Sequence, residues 1–91
     1  SKTGTTITIQ DVLEKLKNEP IISLTISSLN HIPSCTLERQ RVDSADLTTP
    51  IIVVEKDGVL DFILDGHHRR QRAIEENRDY IIAKILRDWI D

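Results

Sequence analysis

The chain has 91 residues, a formal net charge of -3, and 38% apolar against 30% charged residues. Those values fit one globular domain spanning residues 1–91 and exclude a disordered chain or a generally basic nucleic-acid-binding surface. With one Phe, one Tyr and one Trp, stacking platforms for single-stranded nucleic acid are scarce. No apolar run reaches membrane-spanning length. The lone cysteine, Cys35, excludes a disulfide framework within the chain and points to a reducing, cytoplasmic setting.

Residues 1–6 read as a frayed polar leader. The next segment, TIQDVLEKLKNEP, reads as a helix: Thr8 and Asp11 form a capping-box pattern, Ile9, Val12, Leu13 and Leu16 recur at helical spacing, and Pro20 ends it. Alternation from Ile22 through Leu24 to Ile26 predicts a strand. Between Pro33 and Pro50 the pattern breaks into short helical turns, one capped by Ser34 or Thr36 and a second by Asp43 or Ser44. Ile51–Val54 is a β-branched apolar run of the kind a strand buried on both faces carries. Asp57-Gly58 is a hairpin dipeptide, and Val59–Leu64 returns as the second strand. A helix over His67–Asn77 with Asn77 as its cap, a strand over YIIAKIL, and a tail whose Trp89 packs back complete the chain. The expected fold is therefore a small α/β or α+β domain: a mixed sheet containing a β-hairpin, with short flanking helices.

The chemistry concentrates in LDGHHRRQRA, where the second hairpin strand gives way to a helix. A helix N-terminus offers unpaired N–H groups and a partial positive charge. Gly66 lets the backbone turn and lets a ligand approach without meeting a Cβ. Arg69 adds a cation in the first turn, against the dipole, which makes sense if an anion arrives from outside. His67 and His68 can exchange protons near neutral pH. Together these predict an anion site, most naturally for phosphate. Asp65 has three readings: a ligand to a divalent cation shared with the phosphates, a hydrogen-bond acceptor for a ligand hydroxyl, or a helix cap. Arg70 and Arg72 read as solvated helix-face charges paired with Glu75 and Glu76. Adjacent histidines rarely aim both rings at one ion, and no Cys or carboxylate stands at zinc-like spacing around them.

The Asp-Gly-His-His-Arg motif, preceded by PIIVV and a hairpin and followed by a helix and YIIAKIL, resembles the ParB/sulfiredoxin superfamily, whose members include ParB-like N-terminal or ParB-like nuclease domains. The resemblance covers about residues 22–86. It implies that Gly66, His67, His68 and Arg69 hold nucleotide phosphates. In ParB proteins a Gly-Glu-Arg-Arg version of the motif binds CTP; His67-His68 replaces its Glu-Arg. Sulfiredoxins place a catalytic cysteine in the motif, whereas position 67 is His here and Cys35 lies elsewhere. The spelling is most similar to members resembling free-serine kinases, in which an upstream Glu acts as base and the motif Asp and His sit at the active centre. That implies Glu38, Asp65, His67 and His68 as catalytic residues, Arg41 as a further phosphate contact, and Mg2+ on Asp65. The segment between Leu29 and Pro50 is short for the family. Neither the helix-turn-helix of partition proteins nor the extra domain of the kinases is expected within residues 1–91.

Three functions remain open from the sequence. One is a phosphotransferase or phosphohydrolase that binds a nucleoside di- or triphosphate and acts on a small-molecule acceptor. Another is a ParB-like DNA-binding protein or nuclease, which the acidic net charge disfavours. The third is a non-catalytic nucleotide-sensing module that keeps the phosphate site.

Overall fold

The computed structural model describes residues 8–87. The expected leader over residues 1–6 and the expected packing of Trp89 lie outside the described residues. Helix α1 spans Ile9–Lys17, and Thr8 caps it through the full capping box: Asp11 N donates to Thr8 Oγ1 at 3.1 Å and Thr8 N to Asp11 Oδ2 at 2.9 Å. Strand β1, Ile22–Thr25, is shorter than its alternation predicts. Ser28 Oγ donates to the Thr25 carbonyl at 2.7 Å, and Ile26–Leu29 winds into a turn of 3-10 helix.

Helix α2 is the five residues Arg39–Asp43, with Glu38 at the N-cap position and no side-chain cap. Neither Ser34 nor Thr36 starts it. The second expected turn, capped by Asp43 or Ser44, does not form as a helix. Instead Asp46 Oδ1 accepts from Thr48 N at 2.9 Å and from the Thr48 hydroxyl at 2.6 Å, closing an Asx-type turn.

Strands β2, Ile51–Lys56, and β3, Val59–Asp65, form the expected hairpin. Its turn has positive φ at both Asp57 (52°) and Gly58 (80°), the conformation of a two-residue hairpin loop. Helix α3 runs His67–Glu75, two residues short of Asn77. Asn77 sits one position beyond the cap with φ 55°. Its N–H reaches Ile74 O and that of Arg78 reaches Ala73 O, both at 3.0 Å. That paired closure satisfies the orphan carbonyls of the helix end. Strand β4 is Tyr80–Arg87.

The four strands make one mixed sheet in the order β1-β4-β2-β3. Strand β4 lies at the centre, antiparallel to β1 and parallel to β2. Ile51, Val53, Ile63, Ile81, Ala83 and Ile85 point to the face covered by α3, where Ala73 and Leu29 are fully buried against them. The opposite face carries a smaller cluster of Leu16, Val54 and Leu86, with Phe62 beside them. Both sides of β2 are thus covered, as its continuous apolar run requires.

The strand-to-helix corner is set by one residue. Gly66 has φ 117° and stacks directly on the first residue of β2: a Cβ there would lie 2.6 Å from Ile51 Cβ. Any side chain would meet both a strained backbone and a fully buried neighbour. Gly66→Ala is expected to cost about 3 kcal/mol in urea unfolding, the sum of backbone strain and overpacking. In an Ile51→Gly background, which removes the Cβ and Cγ2 that a side chain at position 66 would meet, the same change is expected to cost no more than about half of that. Equal costs in both backgrounds would mean that the Ile51 contact does not constrain the corner.

Candidate functional site

Beyond Gly66, the first N–H groups of α3 have no carbonyl within the helix to pair with. The helix ladder begins with Arg70 N donating to Gly66 O at 2.9 Å. In front of this turn lies an open cleft of about 180 Å³, lined by Asp65, Gly66, His68 and Arg69 from the corner and by Arg41, Ser44 and Ala45 from the α2 side. Five of the residues expected to bind or act on phosphate therefore meet around one space: Asp65, Gly66, His68, Arg69 and Arg41.

Arg69 is held from two sides. Its Nη1 donates to the Pro50 carbonyl at 2.7 Å and its Nη2 to Asp65 Oδ2 at 3.2 Å. The side chain is 18% exposed, so the fork is fixed while its remaining donors stay beside the cleft. Asp65 is the last residue of β3 and its side chain is 62% exposed. The capping reading of Asp65 is corrected: Gly66 occupies the cap position and no side chain caps α3. Asp65 instead orients Arg69. Arg41 projects from α2 with its side chain 66% exposed, and its Nη1 lies 3.5 Å from Glu38 Oε1. A surface pair of this kind contributes little and leaves Arg41 available to an anion.

The two histidines separate in role. His68 lines the cleft, and its Nε2 accepts the Glu38 N–H at 3.3 Å. That contact assigns Nδ1 as the protonated ring nitrogen. His67 does not line the cleft. Its Nε2 donates to Ile63 O at 3.1 Å, and its Nδ1 is buried without a partner among the described residues. Burial first, and then the Arg70 charge, hold its pKa below the usual 6.5. Its ring is therefore turned to the core side of the corner, and only its backbone N–H belongs to the open first turn of α3. Glu38 is not among the residues lining the cleft: its backbone N–H reaches His68, and its carboxylate, 69% exposed, lies 3.5 Å from Arg41, which does line it.

Arg72 follows the sequence reading and Arg70 departs from it. Arg72 pairs with Glu76 at 2.8 Å, as expected, and also donates to the Asp43 carbonyl. Arg70 pairs with neither glutamate; it is buried, at 5% exposure. Glu75 takes its charge partner from α2 instead: Arg39 donates two bonds of 2.9 and 2.5 Å that tie α2 to α3. Arg39 first, and then the hydrogen bond from Gln71 Nε2 at 2.9 Å, lower the Glu75 pKa to about 2.

Sequence reading missed Ser44 and Ala45. The available signal was spacing: they stand three and four residues after Arg41, immediately past the end of α2. Among the described residues, no group of three or more His, Cys, Asp or Glu side chains gathers to hold a metal ion. Nor is any described helix long and apolar enough to cross a membrane. Comparison of the chain with protein-family models, with curated proteins and with solved structures found no match.

The state of His67 gives a pH signature. The folded chain disfavours imidazolium at this position, so the unfolded chain takes up the proton first as pH falls. The His67 contribution to stability is full above pH 6.5 and declines as pH drops toward the lowered folded value. His67→Gln keeps an N–H for Ile63 O and does not titrate. Urea unfolding from pH 7.5 to 5 is expected to show a shallower loss of stability in the variant; identical slopes would contradict a buried neutral His67.

Proposed function

We propose that the cleft in front of α3 binds the phosphate groups of a nucleoside di- or triphosphate. The observation that carries this reading is the convergence of Arg41 and Arg69 on the open first turn of a helix at a glycine without a Cβ. Unpaired N–H groups and guanidinium forks are the donors that phosphate oxygens take, and the helix dipole adds to them. The resemblance of LDGHHRRQRA to the ParB/sulfiredoxin superfamily supports a nucleotide over a free anion. Among the residues lining the cleft, two guanidinium groups face one carboxylate, which favours an anionic ligand even with Asp65 in place.

A divalent cation fits only in company with that ligand. Mg2+ is usually held by one or two carboxylates together with phosphate oxygens and water. Asp65 supplies a single exposed carboxylate at the cleft edge, with one oxygen already bonded to Arg69. The proposal is that Mg2+ enters on the nucleotide, where it neutralises phosphate charge.

A catalytic extension is favoured by one specific contact. His68 and Glu38, 30 residues apart in sequence, are neighbours through the Glu38 N–H. Phosphoryl transfer needs positioning and charge neutralisation more than covalent chemistry by the protein. In this reading Arg41, Arg69 and the α3 N–H groups hold the transferring phosphate, and Glu38 takes the proton of a small-molecule hydroxyl acceptor.

Calorimetric titration with CTP, ATP and ADP, with and without Mg2+, tests the binding step. Saturable binding of at least one nucleotide is expected, with Arg41→Ala weakening it about tenfold, the usual loss for a charge-assisted hydrogen bond. Arg41 is the cleaner variant because Arg69→Ala also frees Pro50 O and Asp65. Absence of saturable binding, or equal affinity in the variant, would overturn the proposal. For the catalytic extension, Glu38→Gln is expected to abolish transfer of the terminal phosphate to the acceptor while changing nucleotide affinity by less than about threefold. Transfer that persists in that variant would remove Glu38 as the base.

A further inference from the structure

Among the described residues, Arg70 is the one charged side chain buried in the core. Its Nη1 donates to Leu29 O at 3.1 Å and to Ile32 O at 2.9 Å, and its Nη2 donates to Ser34 Oγ at 2.9 Å. No described carboxylate lies within ion-pair distance of it. Removing a guanidinium from water is costly, and an apolar side chain of similar volume often fills such a space with equal or better stability. The charge therefore calls for a role beyond filling the core.

All three of its acceptors lie in the segment that runs from the end of the 3-10 turn toward α2. The same segment reaches Glu38, whose N–H donates to His68 Nε2 at 3.3 Å. Arg70 and His68 stand two residues apart on α3, and each grips one part of this segment. We infer that Arg70 is a positioning residue for the cleft: by clamping Leu29, Ile32 and Ser34 onto α3 it delivers the Glu38 N–H to His68 and fixes that ring as an Nδ1–H donor. Without the Glu38 N–H, neutral His68 is free to carry its proton on either nitrogen.

This inference rests on the phosphate reading for its consequence. With Nε2 occupied, His68 offers the cleft a donor and no acceptor, matching Arg41 and Arg69. That side of the cleft then selects fully ionised oxyanions and disfavours ligands that present an N–H or O–H to it.

The test uses the full chain labelled with 15N and long-range proton–nitrogen correlation of the His68 ring at neutral pH. The native chain is expected to show a pyridine-like Nε2 and a protonated Nδ1. Arg70→Lys keeps the charge but loses the planar fork. It is expected to shift His68 to a mixture of tautomers and to speed hydrogen exchange at the Glu38 amide by about tenfold. Affinity for inorganic pyrophosphate is expected to fall severalfold, while the amides of β2 and β4 stay protected. Should Arg70→Lys fail to fold, Glu38→Pro removes the same N–H with Arg70 intact and is expected to release the His68 tautomer. A folded Arg70→Lys with an unchanged ring and unchanged Glu38 exchange, or a Glu38→Pro chain with an unchanged ring, would overturn the inference. A native chain that ignores pyrophosphate while its His68 tautomer responds to these variants would contradict the phosphate reading and leave the positioning role standing.

Discussion

The close approach of Gly66 to Ile51 is the constraint on which the site depends. With φ 117° and no side chain, Gly66 lets β3 turn into α3 directly over the first residue of β2. That contact places the α3 N-terminus at the edge of the sheet and brings Pro50 within reach of Arg69. The same corner points α3 toward α2, where Arg39 and Glu75 complete the link. A residue with a Cβ at position 66 would force strand, helix or both to move, and the first-turn N–H groups would no longer share a cleft with Arg41. The backbone geometry of one residue thus joins the hydrophobic core to the chemistry of the site.

Around that corner, arginines of similar appearance do different work. Arg69 is an oriented fork beside the cleft, held by a carbonyl and a carboxylate. Arg70 is an internal tie whose partners are two carbonyls and a hydroxyl. Arg72 closes an ion pair with Glu76 and touches the end of α2, while Arg39 bridges α2 to α3. Exposed pairs such as Arg39–Glu75 gain little from Coulomb attraction in water; their value lies in fixing the angle between two short helices. Arg41 has only a loose pair with Glu38, so its charge is the most accessible of those around the cleft.

The fold was largely legible in the sequence because its signals are local. The capping box at Thr8 and Asp11, the Asp57-Gly58 turn and the apolar run from Ile51 each specify their element through near neighbours. Where local patterns competed with side-chain bonding to the backbone, the reading slipped. Ser28 bonds Thr25 O and stops β1 early, and Asp46 makes a turn where a helix was expected. The motif residues Asp65, Gly66, His68 and Arg69 do gather as expected. What the sequence hid is long-range: the burial of Arg70 against a segment some 40 residues away, the turning of His67 toward Ile63, and the role of Asp65 as partner to Arg69. Charge and spacing along one helix do not report which face meets the core. For Arg70 in particular, a residue type that is rarely buried occupies an inward position.

The function proposed for the cleft requires an anion to bind where α3 begins. Amide chemical-shift mapping of the 15N-labelled chain, titrated with a nucleoside triphosphate and Mg2+, tests this most directly. Saturable shifts are expected that are largest at Gly66, His67, His68 and Arg69, with a second focus at Ser44 and Ala45 across the cleft. Shifts confined to exposed arginines elsewhere, such as Arg78 and Arg87, or none that saturate, would contradict the proposed function.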